Sequence, residues 1–392
     1  MDPYIKSNNP DNPSQFPSPY LTQKSPDLPP KKPSKSRLKK LFTFLIIILI
    51  TYIGFEAYNQ NIYWQIKSNF ENGDLSYIIN NISNRNDNYT STSTVKDVLP
   101  VINKEKSFSI IVMPDTQFYS ESYPEIFCQQ TDWIVANRNR LNIAMVSHMG
   151  DIVNDGGKQD QWDVAVSCLK TLDGKVVYGI VPGNHDTTAA NNKTSGFENY
   201  NSHFPAKKFR NESWYVDNFS ENQNSAIIIE KLGVKMLFIN LEIEPSDNAI
   251  VWANNVIQKY PGIYTIVTTH KYLPDDSTIL DEKTAFSDPE PNNNGSQIWR
   301  KLVNNNCQIK MVWNGHYHNT DGENKITTLN SCGQPVEQIL QDYQTREKGG
   351  NGLLRIYTFT PDTKTIDVST YSPTLGTFEK DSSSEFELDF AI

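Results

Sequence analysis

The sequence predicts an α/β domain over residues 106–392, built as a two-sheet β-sandwich flanked by helices, with a single transmembrane helix ahead of it. Three observations lead to this prediction. Strand and helix patterns alternate from residue 107 onward, the end of the chain is nearly all strand, and an uncharged apolar run lies near the N-terminus. The order β-α-β-α-β favours parallel strands that are joined by crossover helices.

Composition supports a folded, acidic domain. The 392 residues are 37% hydrophobic and 11% aromatic, which is enough for a sizeable core. Residues 1–40 contain eight Lys or Arg and three Asp, so the rest of the chain holds 28 basic and 42 acidic residues, a net charge of −14. We expect no nucleic-acid-binding surface on such a domain, because phosphate backbones require a basic face. An acidic domain is compatible with the binding of divalent cations.

Four regions follow one another along the chain. Residues 1–40 form a basic, Pro-rich arm that cannot bury enough apolar surface to fold. Residues 41–58 are the predicted transmembrane signal anchor. Residues 59–105 drift into Asn, Ser and Thr, a composition typical of a stalk or linker. The domain of interest occupies residues 106–392.

The anchor prediction depends on the run LFTFLIIILITYIGF at 41–55, which has no charge and which reaches the lower limit for a spanning helix, about 17 residues, only when it is extended to Tyr58. Basic residues precede it and aromatic residues follow it, as the positive-inside rule and an interfacial aromatic belt require. We therefore expect a single-pass membrane protein with a cytoplasmic N-terminus and an extracytoplasmic domain. A buried core helix, a cleaved signal peptide and a cytosolic enzyme without an anchor are the alternatives.

The elements of the domain are predicted from apolar periodicity and turn residues. Helices are expected at 123–141, 158–172, near 246–260 and near 295–305. A tight turn at Leu232-Gly233 is expected to divide the segment 225–242 into a hairpin. Strands are expected at 107–115, 143–151, 176–186, 225–242, 262–270, 308–318, 325–331, 352–360, 365–371 and 386–390.

Residues able to bind a metal follow the ends of five of these strands. In an α/β sheet the carboxyl ends of strands are where ligands bind. Carboxylate, amide and imidazole groups together suit Mn, Fe, Zn or Mg better than a structural thiolate site. Two ions about 4 Å apart can hold the attacking and leaving oxygens of a phosphoryl transfer, and we expect Asp151 to bridge them. The residues are Asp115 and Gln117, Asp151 and Asn154, Asn184 and His185, His270, and His316 with His318.

The ordered motifs PDTQ, GDIVND, GNHD, TTH and GHYH resemble those of the calcineurin-like metallophosphoesterase superfamily, over about residues 107–392. The sequence segments PDTQFYS and QDYQTREKGGNGLLRIYTF are similar to those of a bacterial secreted branch of that superfamily. The resemblance implies a four-layer αββα fold of the metallo-dependent phosphatase type. It also implies two divalent metal ions, a phosphoester substrate and attack by a hydroxide that bridges the metals.

The resemblance further implies a role for each residue. The first metal is expected on Asp115, Gln117, Asp151 and His318, and the second on Asp151, Asn184, His270 and His316. His185 is expected to stabilise the transition state and to protonate the leaving group. We expect Asp186 to orient His185, and Asn154 to support the loop and to contact phosphate.

Gln117 departs from the pattern, since most of the superfamily has His at this position. A neutral amide oxygen is a weaker donor than imidazole, so the affinity and identity of the first metal are open. We interpret the change as tuning. The alternative is a non-catalytic membrane-anchored binding or structural protein that retains the fold. Outside the motifs, His148 is interpreted as a packed strand histidine.

The four cysteines form no CxxC motif and lie outside every ligand stretch, so they do not indicate a zinc ribbon. In an extracytoplasmic domain, closeness in sequence favours the pairs Cys128 with Cys168 and Cys307 with Cys332. In the cytoplasm they would be buried thiols.

Overall fold

The computed structural model describes residues 97–276, 278, 280 and 292–392. The predicted arm (1–40), the predicted anchor (41–58) and most of the predicted stalk (59–105) lie outside the described residues. In the part of the chain that is described, none of the helices has the length and apolar character that a membrane span requires.

The described residues form two mixed sheets with helices beside them. In chain order the strands are β1 (Phe108–Met113), β2 (Ile143–His148), β3 (Val177–Ile180), β4 (Tyr215–Phe219), β5 (Asn224–Lys231), β6 (Val234–Leu241), β7 (Tyr264–Thr269), β8 (Ile309–Asn314), β9 (Glu323–Leu329), β10 (Pro335–Gln341), β11 (Leu354–Thr360), β12 (Thr365–Ser372), β13 (Thr377–Phe378) and β14 (Glu385–Asp389). The helices are α1 (Gln117–Ser122), α2 (Pro124–Asn137), α3 (Gln159–Leu169), α4 (Glu198–His203), α5 (Ala206–Phe209), α6 (Asp247–Lys259), α7 (Gly295–Ile298) and α8 (Glu347–Gly350). Short 3₁₀ turns occur at Lys170–Leu172 and Lys193–Ser195, and α7 continues into a π-turn at Trp299–Val303.

Each sheet has seven strands. The first has the order β13-β12-β11-β1-β2-β3, with β14 on the other side of β12, and the second has the order β4-β5-β6-β7-β8-β10-β9. Strands β1, β2 and β3 run parallel in the first sheet, and β6, β7, β8 and β10 run parallel in the second. Parallel neighbours end at the same edge, so each sheet gathers several carboxyl ends there.

The second sheet separates two apolar cores, and its strands alternate between them as a period of two requires. Met236 and Phe238 of β6 belong to the core that also holds the first sheet and α2 and α3. Leu237 and Ile239 belong to the core beneath α6 and Trp299–Val303. Two sheets with helices beside them were predicted, and this arrangement is confirmed.

The predicted hairpin is also confirmed, because Leu232 and Gly233 both have positive φ between β5 and β6, at 51° and 76°. Strand β10 is the most consequential element that the sequence analysis missed. Its segment PVEQILQ mixes apolar residues with Gln338, whose buried side chain bonds to Tyr272 in the loop after β7 and to Thr328 on the adjacent strand β9. A buried glutamine whose partners are distant in sequence weakens the apolar alternation from which strands are predicted.

Two disulfides are present, and they have the pairing that was predicted for an extracytoplasmic domain. Cys128–Cys168 links α2 to α3. Cys307–Cys332 links the chain ahead of β8 to the turn between β9 and β10. Each disulfide closes a loop of the chain, which reduces the conformational entropy of the unfolded state.

Candidate metal site

The predicted ligands all follow strand ends at one edge of the two sheets. Asp115 follows β1, Asp151 follows β2 and Asn184 follows β3 in the first sheet. His270 follows β7, and His316 and His318 follow β8, in the second sheet. Because these strands are parallel within each sheet, residues separated by up to about 200 positions are brought to one place.

The tightest part of the site surrounds the His270 ring, which is fully buried. Its Nε2 lies 3.1 Å from Asn184 Oδ1, 3.2 Å from Asp151 Oδ2 and 3.3 Å from His316 Nδ1. Atoms that bind one ion at about 2.1 Å lie roughly 3.0–3.4 Å from one another. The three distances from His270 Nε2 are therefore those expected between ligands on a common metal.

Hydrogen bonding at the back of these side chains determines which atoms face each other. His270 Nδ1 donates to the Met149 carbonyl oxygen at 2.9 Å, so in the neutral ring Nε2 carries a lone pair. Asn184 Nδ2 donates to Asn191 Oδ1, which directs Asn184 Oδ1 toward His270. A nitrogen lone pair thus faces a carboxylate and an amide oxygen in a buried place. Only a proton or a cation between them makes this arrangement favourable.

Asp151 lies at the centre of the site. It is 1% exposed, and its backbone has a positive φ of 47°, a left-handed conformation that Asp adopts more readily than most residues other than Gly. One carboxylate oxygen accepts the His185 backbone N–H at 2.9 Å, while the other faces His270. Burial alone would raise the pKa of Asp151, but the neighbouring His270 holds it below its ordinary value.

The other predicted ligands are arranged more loosely. Asp115 Oδ2 accepts the His316 backbone N–H at 3.1 Å, whereas Asp115 Oδ1 and Gln117 Oε1 are buried and accept no hydrogen bond within the described residues. His318 Nδ1 lies 2.9 Å from the His316 carbonyl oxygen. His318 does not join the compact group of Asp151, His270 and His316, whose ligand atoms all lie within 4.8 Å of one another. A cation bound here would be coordinated by these buried, unsatisfied oxygens.

The glycines of the motifs allow the loops to approach the carboxylates. A Cβ on Gly183 would lie 2.1 Å from Asp151 Oδ1, and a Cβ on Gly315 would lie 2.1 Å from Asp115 Oδ1. Both contacts are far inside van der Waals distance, so only glycine fits at either position. This explains why Asn184 and His316 are each preceded by glycine.

The family model for calcineurin-like phosphoesterases matches residues 108–320. The chain belongs to the calcineurin-like phosphoesterase family. The match begins at β1 and ends just after His318, so it contains every ligand that the motifs predicted.

Individual known proteins are also similar to this chain. The uncharacterized protein YvnB of Bacillus subtilis (strain 168) is 31% identical over 283 residues, which is 71% of this chain and 21% of YvnB. The chain thus spans about a fifth of the length of that relative. Among solved structures, purple acid phosphatase PPD1 from yellow lupin (Lupinus luteus) seeds is 12% identical with a TM-score of 0.44, over 74% of this chain and 55% of that one. The protein TT1561 of Thermus thermophilus is 8% identical with a TM-score of 0.37, over 72% of this chain and 99% of that one.

The residues predicted to do chemistry beside the metals have different contacts from those expected. The prediction that Asp186 orients His185 is wrong. The Asp186 carboxylate is fully buried and accepts the backbone N–H groups of Gly183, Ile152 and Val153 at 2.8, 2.9 and 3.0 Å. Burial and the charge of Asp151 raise the pKa of Asp186 to about 7. Asp186 therefore ties the GNHD loop to the GDIVND loop.

The Asn154 backbone carbonyl takes the role expected of Asp186, because His185 Nδ1 donates to it at 2.6 Å. The Asn154 side chain donates to Glu121 Oε1 at 2.7 Å, which links the loop after β2 to α1. Its contact with phosphate stays a prediction. His185 itself is half-buried at the rim, and the bond to Nδ1 leaves Nε2 as the ring atom that can meet a substrate.

Burial and neighbouring charges shift the pKa values of three residues in the site. Burial and the charges of Asp342 and Asp151 hold the pKa of Asp115 well above its ordinary value. Burial and the adjacent His270 hold the pKa of His316 well below its ordinary value. In His270, burial is outweighed by Asp151, which raises the pKa. Carboxylates and imidazoles are buried together, and a bound cation would stabilise the charged carboxylates and take the place of a proton on the imidazoles.

His148 is a structural histidine, as predicted. It ends β2 and is 1% exposed. Its Nδ1 accepts the Gly150 N–H at 3.2 Å, so the proton lies on Nε2, which bonds to Thr116 Oγ1 at 3.0 Å. Thr116 in turn donates to the Ile152 carbonyl oxygen. His148 therefore joins the loop after β1 to the loop after β2.

Proposed function

We propose that the chain is a dinuclear metal-dependent phosphoesterase that hydrolyses phosphomonoesters or phosphodiesters. The single observation that carries the proposal is the surroundings of His270 Nε2, where four potential ligand atoms from four strand ends meet at metal-ligand spacing. Family membership supports the reaction class, and the donor set supports Mn, Fe, Zn or Mg. Two divalent ions would supply Lewis-acid stabilisation and a nucleophile at neutral pH.

The contacts of each residue suggest its role in metal binding. Asp151 is the proposed bridge, because one carboxylate oxygen faces His270 while the carboxylate as a whole lies close enough to Asp115 to raise its pKa. Asn184, His270 and His316 are proposed to hold the second ion, and Asp115, Gln117 and His318 the first. Asp186 acts indirectly, since it fixes the loop that carries Asn184 and His185.

His185 is the proposed proton donor. With Nδ1 held by the Asn154 carbonyl, the protonated ring presents Nε2–H, which can donate to a phosphoryl oxygen or to the leaving alkoxide. The neutral ring presents a lone pair there, so it cannot donate to the leaving group.

A pair of variants tests the proposal. Asp151→Asn removes the bridging charge, and His185→Asn removes the proton donor without touching a proposed ligand. Metal content by mass spectrometry is measured beside hydrolysis of aryl phosphate monoesters and diesters. We expect Asp151→Asn to lose metal and activity with the fold retained, and His185→Asn to keep both metals and lose about 100-fold or more in kcat.

Two results would contradict this. A wild-type protein that carries metals and hydrolyses no phosphoester would favour a binding or structural protein that keeps the fold. Full activity of Asp151→Asn would reject Asp151 as the bridge.

A membrane location is part of the proposal. The apolar run at 41–58 and the basic arm before it favour a cytoplasmic N-terminus with the domain outside. The two disulfides support an oxidising compartment. Fractionation of cells that produce the full chain is expected to place it in the membrane fraction, with the domain accessible to external protease. Recovery of the full-length protein in the soluble fraction alone would contradict the proposed anchor.

A further inference from the structure

Asp342 occupies a sixth strand end at the edge where the predicted ligands meet. It follows β10, which runs parallel to β8 with Leu340 opposite Asn314. Continuing this register by two residues places Asp342 level with His316. The position therefore repeats the arrangement of Asp115, Asp151 and His270, each of which comes shortly after a parallel strand.

The Asp342 carboxylate is held firmly at one oxygen and not at the other. The residue is fully buried, and its backbone N–H donates to the Gly322 carbonyl oxygen at 2.8 Å. Its Oδ1 accepts the Gln344 backbone N–H at 2.9 Å. Its Oδ2 accepts no hydrogen bond among the described residues and lies 3.5 Å from His318 Nδ1. The free oxygen thus belongs to the side of the site where His318 lies.

Two other buried oxygens of the predicted first metal site are also acceptors without donors. Asp115 Oδ1 and Gln117 Oε1 are buried and unsatisfied within the described part of the chain. Asp115 Oδ2 accepts the backbone N–H of His316 at 3.1 Å, and Asp342 lies level with His316, so both carboxylates flank the loop after β8. Two buried carboxylates at one loop cost free energy unless a proton or a cation compensates their charge.

We infer that Asp342 is a ligand of the first metal, to which it gives carboxylate Oδ2 beside Asp115 and Gln117. The inference rests on the proposed function and deepens it. Gln117 is a neutral amide where an imidazole is the usual donor, and Asp342 supplies anionic oxygen to the same ion. A site of carboxylate and amide oxygens with one imidazole selects a hard divalent cation such as Mn²⁺ or Mg²⁺ over Zn²⁺.

The first experiment measures Mn²⁺ binding by calorimetry and thermal unfolding of Asp342→Asn with EDTA or with MnCl₂. Asparagine keeps an oxygen for the Gln344 N–H. We expect the affinity of one of two Mn²⁺ sites to fall at least about 10-fold, and the Tm in EDTA to stay equal or to rise because carboxylate repulsion is gone. Asp367→Asn, at an exposed position on β12, is the matched control and should change neither quantity.

The outcomes separate the inference from the proposed function. Two Mn²⁺ sites of unchanged affinity in Asp342→Asn would overturn the inference and leave the proposed function in place. A wild-type protein that binds no Mn²⁺ or other divalent cation would overturn both. A lower Tm in EDTA with unchanged Mn²⁺ affinity would make Asp342 structural and would overturn the inference.

A second variant distinguishes a ligand from a residue that merely positions His318. Asp342→Cys places a thiolate where the carboxylate oxygen was, and Co²⁺ bound to a thiolate gives a sulfur-to-metal charge-transfer band. We expect this band in Asp342→Cys loaded with Co²⁺, and none in the control Asp367→Cys. Co²⁺ binding to Asp342→Cys without the band would overturn the inference.

Discussion

The two halves of the candidate site differ in how they are built. The second half, around His270, brings its side chains within 3.3 Å of His270 Nε2 through bonds to backbone and to Asn191. The first half contains Asp115 and Gln117 with unsatisfied oxygens, and its histidine, His318, has a side chain that is 38% exposed. One half is organised by the protein alone, whereas the other has an excess of acceptors that a cation would balance.

The origin of the difference lies in the elements that carry the ligands. His270 directly follows β7 and is fully buried, and His316 lies two residues after the end of β8. Gln117 begins α1, and His318 lies two residues further into its loop. Rigid sheet ends hold ligands more precisely than helix starts and loops do. The second half should therefore bind its metal more tightly.

The largest effect should come from His270→Ala, compared with Gln117→Ala. Removing His270 takes away the atom that three other ligand atoms surround, so we expect metal affinity at the second site to fall by more than about 100-fold. Gln117→Ala removes a neutral amide from a site that retains carboxylates, so we expect a loss of about 10-fold or less. Calorimetric titration of both apo variants with Mn²⁺ measures the two losses.

Equal losses of Mn²⁺ affinity in the two variants would contradict the expected difference between the halves. A greater loss of affinity in Gln117→Ala would show that the first half binds its metal more tightly. Thermal unfolding of both variants in EDTA is the control, since each must be folded before its metal affinity is compared.

The smallest effect concerns His148, which is a histidine of the same neighbourhood but not a proposed ligand. Burial, together with the nearby His270, lowers the pKa of His148 to about 3, whereas in the unfolded chain it stays near 6.5. Between these values the unfolded chain binds the proton and the folded chain does not. Stability is therefore lost as pH falls below 6.5, by roughly 2 kcal/mol at pH 5.

His148→Gln keeps a donor and an acceptor but does not titrate. In EDTA, its free energy of unfolding should fall less than that of the wild type between pH 7.5 and pH 5, and its metal affinity at pH 7.5 should match the wild type. The same pH dependence in both proteins would exclude this role of His148, and loss of a metal would make His148 part of the site.

Much of the fold and of the ligand set could be predicted from the sequence, because both depend on local patterns. Apolar runs that end abruptly at GD, GNH and GH marked the strand ends, and parallel strands gather their ends at one edge. The disulfide pairing also followed from closeness along the chain. Asp342 was missed because β10 was missed, although its segment ends in a ligand-type residue as the other strands do.

The contacts of the GNHD loop depend on the tertiary structure. Asp186 was expected to reach the next side chain, His185, but its carboxylate bonds to backbone N–H groups that include Ile152, 34 residues away. His185 is held instead by the carbonyl of Asn154, 31 residues away. Backbone groups carry no sequence signature, so their positions are known only when the loops are in place.

By itself, the sequence determined most of the strands and the longer helices, the types of candidate ligand and the edge of the sheets at which they meet, since apolar periodicity and turn residues act over a few positions. The tertiary structure decided which side-chain atoms face one another, which oxygens stay unsatisfied and that Asp342 lies beside His318. These features depend on burial and on partners that are distant along the chain, because a carboxylate becomes costly only when the fold removes it from water.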